Sequence, residues 1–363
     1  MNIAQVLSQM GRSAPWDKAA AWDPVGLQLG DPKDEAGTVA VCHEVSESVV
    51  AGVEDLGINL LVTYHPLLFR PTSRIVAGRS PVGRAYRILR AGTALAVAHT
   101  NFDVATGGVA DALADSLQLS DTTGFGPIDA AESIKIVTFA PADSSELVAE
   151  AMASAGGGII GNYANCSFRN EGIGTFLAGD GAKPVTGTTG RLHRESETRI
   201  EMTVAGARRD AVLRALVAAH PYEEPAFDVY TVAANLGMAG RVGRLPEPIE
   251  LHQLVERVSG ALGGRGVRSG GHLGRPVGRV AVVPGSGSSY IRAAAAAGAD
   301  VLVTGDVGHH RMVEAADFGL AVVDPGHLAT ERPGVERLYA LVAGIVPEVI
   351  DLTHPTAGEA TDE

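Results

Sequence analysis

The chain has 363 residues, a formal net charge of −13 and two cysteines, with 45% hydrophobic and 20% charged residues. This length and composition predict globular structure in more than one domain and exclude an intrinsically disordered chain. The acidic balance argues against nucleic acid as a partner, because phosphate backbones bind to basic surfaces. Two cysteines are too few for a disulfide scaffold or a thiolate zinc site.

The sequence contains no recognisable targeting or membrane segment. Residues 1–10 predict a short amphipathic helix, without the basic start and apolar core of a signal peptide. No uninterrupted apolar stretch reaches the ~20 residues that a membrane helix needs. We therefore expect a cytoplasmic protein with no membrane partner.

Short apolar strands alternate with helices at both ends of the chain. Strands at 39–42, 60–63 and 94–98 are followed by helices at 47–56, 83–91 and 109–117. The C-terminal part repeats this plan, with strands at 299–304 and 320–323 and helices at 291–297, 307–316 and 330–342. Such alternation predicts mostly parallel sheets that helices cover on both faces. The predicted fold class is α/β, with two related α/β halves that form one discontinuous metal-binding domain.

The middle of the chain has another rhythm. Its predicted elements follow the order β-α-β-β-α-β, which is typical of an inserted ferredoxin-like α+β domain. We place this insertion at residues 133–242. The α/β domain is then divided into a first half, 1–132, and a second half, 243–363.

Polar side chains that can bind metals follow the predicted strands. In α/β sheets, ligands collect at the carboxyl ends of the strands. Imidazoles and carboxylates without thiolates suit Zn(II), Fe(II), Mn(II) or Ni(II). The candidate groups at these strand ends are Tyr64, His65, His99, Asn101, Asp103, Asp306, His309, His310, His327 and Glu331.

His327 and Glu331 stand four residues apart after the strand at 320–323. On a helix, positions four apart share one face, which would aim both side chains at the same point. Pro333 disfavours helical structure at Arg332, however. We therefore expect the regular helix to begin after Glu331, with both side chains converging from a turn.

Each candidate group also has a purely structural explanation. His65 can simply end a strand, and Asp103 can cap a helix. His309, His310 and Glu331 can face solvent. The metal hypothesis depends on convergence, because four separate strand ends each supply a side chain of the ligand type.

Five motifs, in this order, resemble those of the NIF-three-like family, also called dinuclear-metal-centre hexameric proteins or GTP cyclohydrolase I type 2 homologues. They are GLQLG at 26–30, TYHPLLF at 63–69, HTNFD at 99–103, TGD at 304–306 and GHLATE at 326–331. The insertion, with GNYANCSF at 161–168 and HPYEEP at 220–225, is similar to the signal-transducer-like (CutA-like) domain of the longer bacterial members. The resemblance covers nearly the whole chain.

This resemblance implies two divalent ions. His65 and Asp103 would bind the first, His327 would bind the second, and Glu331 would bridge both. Tyr64 occupies the position of the first of two adjacent family histidines. Because a neutral phenol with a pKa near ~10 is a poor zinc ligand, the second ion is expected to bind weakly, exchange readily or be absent.

The remaining expectations concern the surroundings of the ions and the assembly. We expect His99, Asp306 and His310 to support the ligands from an outer shell. One or two ions of Zn, Fe or Mn are expected per chain. The family also implies a homohexamer.

Two functions follow from these expectations. The first is metal-dependent hydrolysis of a nucleotide or a related phosphoester or purine ring, with no catalytic side chain assigned. The alternative is a non-catalytic, metal-binding oligomeric scaffold or regulatory protein with a ligand-sensing insertion. The loop Gly285-Ser-Gly287 is too short for a P-loop and lacks its lysine. Its backbone amides can still contact a phosphate.

Overall fold

A computed structural model describes residues 1–128, 133–160, 163–232, 237–263 and 266–353. The chain forms two compact units. One combines Met1–Ala130 with Leu236–Glu363, and the other is Ala131–Asn235. Among the helices of these described ranges, none is both long enough and apolar enough to cross a lipid bilayer.

The first segment of the discontinuous unit alternates short strands with helices. The strands β2, β3 and β4 are fully buried, as is expected of parallel strands with helices on both faces. The elements are α1 (Ile3–Ser13), β1 (Gly26–Leu29), β2 (Val39–Cys42), α2 (Glu47–Leu56), β3 (Leu60–Thr63), α3 (Pro81–Arg90), β4 (Ala94–Val97), α4 (Thr100–Asp103), α5 (Val109–Ser116) and β5 (Ser120–Pro127).

The second unit has the element order β-α-β-β-α-β. Its elements are β6 (Ser133–Pro141), α6 (Ser145–Ser154), β7 (Phe168–Leu177), β8 (Leu192–Ala205), α7 (Arg209–Ala219) and β9 (Phe227–Val232). These strands form an antiparallel sheet in the order β7-β8-β6-β9. Val148 and Met152 of α6 and Val212 and Leu216 of α7 pack in its core.

The chain then returns to the first unit. The elements are β10 (Met238–Glu250), α8 (Leu251–Leu262), β11 (Arg268–Gly270), β12 (Pro276–Val282), α9 (Ile291–Ala296), β13 (Val301–Val303), α10 (His309–Asp317), β14 (Ala321–Asp324), α11 (His327–Ala343) and β15 (Val349–Leu352). The predicted domain boundary at residue 242 is wrong, because it falls inside β10. That strand pairs with β5 and β12 of the first unit along its length.

Two sheets organise the first unit. One has the order β1-β4-β3-β2-β15, and the other has the order β11-β14-β13-β12-β10-β5. Within them, β2-α2-β3-α3-β4 and β12-α9-β13-α10-β14 repeat one topology, with three parallel strands in the same lateral order. This repeat agrees with the expectation of two related α/β halves in a mixed α/β fold.

The helix α11 connects the two halves. It begins directly after β14 of one sheet, yet Val335, Leu338 and Val342 pack in the core beside β2 and β3 of the other. Its Gly334 allows close contact with α5, since a Cβ there would lie 2.3 Å from Val109 Cγ1. The side chains at the start of α11 are therefore held between the carboxyl ends of both sets of parallel strands.

Candidate metal centre

The strand ends of the first sheet bring three histidines together. His43 follows β2, His65 lies two residues beyond β3, and His99 lies two residues beyond β4. The parallel ladder continues past the strands, because the amide of Tyr64 donates to the carbonyl of Cys42 at 3.0 Å and that of His65 to the carbonyl of His43 at 2.9 Å. Backbone pairing thus fixes these neighbours relative to one another.

Glu331 is the centre around which these side chains meet. Its Oε2 lies 2.8 Å from His43 Nε2 and 3.1 Å from His65 Nε2, and its Oε1 lies 3.0 Å from His327 Nε2. The residue is only 3% exposed. Burial opposes its ionisation, yet hydrogen bonds from the three imidazoles outweigh that cost and hold the pKa of Glu331 well below its usual range. We call His43, His65, His327 and Glu331 the Glu331 cluster.

His327 is fixed from both of its ring nitrogens. Nδ1 lies 2.6 Å from Asp306 Oδ2, while Nε2 faces Glu331. The hydrogen bond to Glu331, helped by Asp306, raises the pKa of His327 to about 9. His65 differs, because burial lowers its pKa in spite of its contact with Glu331. Asp306 therefore contacts His327 on the side of the ring away from Glu331, and its outer-shell role stays a prediction.

His327 and Glu331 lie in the first turns of α11, with Pro333 inside the helix. The expectation that regular helix begins after Glu331 is therefore wrong. Thr330 explains the difference, since its hydroxyl donates to the His327 carbonyl at 2.7 Å and accepts from the Gly285 amide at 2.9 Å. These contacts stabilise the turn before the proline, so the two side chains share one helical face.

Tyr64 and Asp103 form a pair of their own beside the cluster. The Tyr64 hydroxyl donates to Asp103 Oδ1 at 2.5 Å. Burial and the nearby Asp103 charge raise the pKa of Tyr64 well above its ordinary value, so it remains a neutral phenol. Removal from solvent raises the pKa of Asp103 to about 7. Asp103, which we expected to bind an ion with His65, is thus bonded to the residue in the family histidine position.

Two further predicted residues have different surroundings. The ring of His99 lies 5.1 Å from that of His65, and its Nδ1 is 3.0 Å from Asp23 Oδ2. Although burial works in the other direction, Asp23 raises the pKa of His99. His310, by contrast, is exposed on α10, where its ring lies 5.7 Å from that of His309. The structure thus brings His99 to the cluster and leaves His310 in solvent.

A glycine loop closes the cluster from the second half. A Cβ on Gly285 would lie 2.5 Å from Glu331 Oε1, and φ at this residue is +61°. The position therefore requires glycine. The Gly285 and Gly287 amides donate to the hydroxyls of Thr330 and Thr304. These two amides thus have partners, contrary to the expectation that the loop offers its amides to a phosphate.

The Glu331 cluster has donor chemistry that suits a divalent cation. His43, His65 and Glu331 each offer a ligand atom, and these atoms lie within 4.8 Å of one another. Imidazole nitrogen and carboxylate oxygen are ligands of zinc, iron and manganese. His43 is the member that our sequence analysis missed. The sequence did indicate His43 as a candidate ligand, since it directly follows the predicted strand at 39–42.

Comparison with known proteins places the chain in a family. The model of the Duf34/NIF3 (NGG1p interacting factor 3) family matches residues 1–356. The chain belongs to this family. The resemblance inferred from the five motifs is therefore confirmed.

Relatives in the NIF3 family cover most of the chain. A GTP cyclohydrolase 1 type 2 homolog of Mycobacterium tuberculosis is 39% identical over 339 residues, which is 92% of this chain and 89% of the relative. The Bacillus subtilis protein of the same name is 38% identical over 343 residues, or 93% and 91%. The crystal structure of a Bacillus cereus protein related to NIF3 has a TM-score of 0.64 and 36% identity, and covers 98% of both chains.

Proposed function

We propose that this NIF3-family chain binds one or two divalent metal ions at the Glu331 cluster and hydrolyses a nucleotide or a related phosphoester or purine ring. The observation that carries the proposal is the arrangement around Glu331. One carboxylate oxygen faces His43 and His65, and the other faces His327. A buried carboxylate with imidazoles at both oxygens is suited to bridging two ions of zinc, iron or manganese.

Side chains of this chain prepare the site for such a reaction. Glu331 is ionised because three imidazoles donate to it, and Asp306 orients His327 so that its Nε2 faces the cluster. Bound divalent ions would act as Lewis acids toward a phosphoryl oxygen or a ring carbon. Asp103, whose pKa is raised to about 7, can accept or release a proton near neutral pH. Tyr64 orients that carboxyl through its hydroxyl group.

Exposed aromatic rings beside the site favour a planar substrate. Trp22 is 57% exposed and Phe69 is 50% exposed, and their ring centroids are 5.6 Å apart. The Trp22 ring also lies edge-on to His99, at 6.2 Å. Exposed rings of this kind stack on nucleobases. Relatives that carry the name GTP cyclohydrolase 1 type 2 homolog make a purine nucleotide the substrate class to test first.

The test combines metal analysis with turnover. Protein purified without oxygen is analysed for zinc, iron and manganese, and GTP turnover is then measured for the wild type and for His327→Ala. We expect bound metal and metal-dependent turnover in the wild type, and loss of turnover in His327→Ala. His272→Gln, which changes an exposed histidine outside the cluster, is the control. Absence of metal-dependent turnover of GTP and other nucleotides would refute the hydrolase function.

The second candidate is a metal-binding scaffold whose insertion senses a ligand. A cavity of about 870 Å³ in the second unit favours it, with Phe139, Phe176, Lys183 and Tyr222 in its lining. This volume falls in the range of small-molecule sites, roughly 300–1,000 Å³. We propose that the insertion is ferredoxin-like, consistent with its element order and antiparallel sheet. Nucleotide binding that survives His327→Ala without any turnover in the wild type would support this candidate.

Assembly and location are both proposals, and the assembly rests on the family resemblance. We propose a homohexamer in the cytoplasm with a small-molecule or nucleotide ligand. Light scattering coupled to size exclusion tests the assembly, and a monomer would contradict it.

A further inference from the structure

His43 is the member of the Glu331 cluster that the family resemblance does not explain. The resemblance implies two adjacent histidines, at positions 64 and 65, and position 64 here is a tyrosine. The structure nevertheless brings two imidazoles to Glu331 Oε2, His43 at 2.8 Å and His65 at 3.1 Å. The second imidazole therefore comes from a different strand.

The sheet register explains how this is possible. Cys42 of β2 is the partner of Thr63 of β3, so the next residues along, His43 and Tyr64, are lateral neighbours. Their rings stack with centroids 5.6 Å apart and an interplanar angle of 19°. Neighbouring strands are about 4.8 Å apart. An imidazole moved from position 64 to position 43 is thus displaced sideways by about one strand and stays at the same edge of the sheet.

Tyr64 meanwhile has a different role. Its side chain is 1% exposed, and its single O–H group donates to Asp103 Oδ1. The His43 side chain is 13% exposed and faces Glu331 Oε2. The phenol is therefore directed to Asp103, whereas the imidazole is directed to the atom at which an ion would bind.

We propose that His43 replaces the missing family histidine as a metal ligand, and that Tyr64 positions Asp103 instead of binding metal. The proposal rests on the proposed metal-binding function. A zinc, iron or manganese ion at Glu331 Oε2 would take Nε2 of both His43 and His65. Position 43 thus supplies the imidazole that position 64 lacks.

Zinc titration of chelator-treated protein tests whether His43 replaces the missing histidine. The variants are His43→Gln, the double variant His43→Gln/Tyr64→His and the control His272→Gln. Glutamine keeps a hydrogen-bond donor for Glu331, so an effect on zinc reports ligation and not merely a lost ion pair. We expect His43→Gln to bind one zinc fewer per chain, or to bind zinc more weakly. The loss of affinity should be at least as large as the roughly 10- to 100-fold loss that follows removal of an outer-shell partner.

The double variant is the decisive test, because it recreates two adjacent histidines at positions 64 and 65. We expect it to regain the zinc that His43→Gln loses, with His272→Gln binding zinc as the wild type does. Unchanged zinc binding in His43→Gln, or no recovery in the double variant, would overturn the proposed role of His43. A wild type that binds no zinc would instead overturn the proposed function.

A measurement on the wild type avoids dependence on the folding of a variant. Crystals grown with zinc, with anomalous data collected at the zinc edge, locate each ion directly. We expect an ion ~2.0–2.1 Å from His43 Nε2. Ions bound by His65 or His327 without His43 would refute the proposal.

Discussion

Asp306 Oδ2 lies 2.6 Å from Nδ1 of His327, so the two ring nitrogens of this imidazole face two different carboxylates. A carboxylate behind a ligand histidine orients the ring and increases its basicity. The backbone of Asp306 is itself unusual, with φ at +56°. Asparagine tolerates this left-handed conformation better than most residues, which makes it a suitable replacement.

We therefore expect Asp306→Asn to weaken zinc binding by roughly 10- to 100-fold while the protein stays folded. Calorimetric titration with zinc measures the affinity, and circular dichroism measures the thermal midpoint. Asp317→Asn, at the exposed end of α10, the helix that follows Asp306, is the control. Equal affinities in the two variants would mean that Asp306 does not support the metal ligand.

The charge on His327 makes the stability of the metal-free protein depend on pH. Its pKa is about 9 in the folded chain against an ordinary value of 6.5, so the folded state binds the proton more tightly than the unfolded state. The resulting stabilisation is fully present below pH 6.5 and is lost as the pH rises through about 9. Urea unfolding of chelator-treated protein across this range measures the loss. His327→Gln should remove this dependence of stability on pH. An equal slope of unfolding free energy against pH in both proteins would contradict the role given to His327.

Gly285 should be more sensitive to substitution than other glycines with the same backbone conformation. Gly285 and Gly57 have φ values of +61° and +63°, but a Cβ on Gly57 would meet nothing within 4 Å. Both alanine variants should lose about 1–2 kcal/mol of unfolding free energy to backbone strain. Gly285→Ala should lose more, and should also weaken zinc binding, because its Cβ would displace Glu331. Identical losses and unchanged zinc affinity would show that the contact with Glu331 is unimportant.

Trp22 offers a test of the substrate class that leaves the metal in place. If a purine stacks on this ring, Trp22→Ala should lose about 1–3 kcal/mol of binding free energy for GTP. The KM for GTP should then rise roughly 5- to 150-fold. Zinc content should not change. Phe318→Ala removes an exposed ring elsewhere in the same unit and is the control. A reduced zinc content in Trp22→Ala would mean that the ring supports the metal centre instead.

Local sequence was sufficient for the strands and for much of the site. Buried apolar runs followed by polar turns predicted β3, β4 and β14, and the spacing of His327 and Glu331 predicted their convergence. The local preference of Pro333 gave the wrong start for α11, because the Thr330 contacts that hold the preceding turn include a tertiary one, with Gly285. Tertiary contacts can override such preferences.

The omission of His43 has a different physical cause. Which strand lies beside β3 depends on sheet order, and sheet order is a property of the whole chain. Only the pairing of β2 with β3 brings His43 next to Tyr64. The boundary near residue 242 failed for a similar reason, since the partners of β10 are β5 and β12, which are distant in sequence.

The position of α11 has a consequence for biosynthesis. Val335, Leu338 and Val342 complete a core whose other members include Val39, Val41, Leu60 and Val62 near the start of the chain. A chain still emerging from the ribosome therefore holds His43 and His65 without their carboxylate until α11 docks. Under the proposed function, metal capture would therefore wait until α11 has been synthesised, because His43 and His65 lack their carboxylate before then.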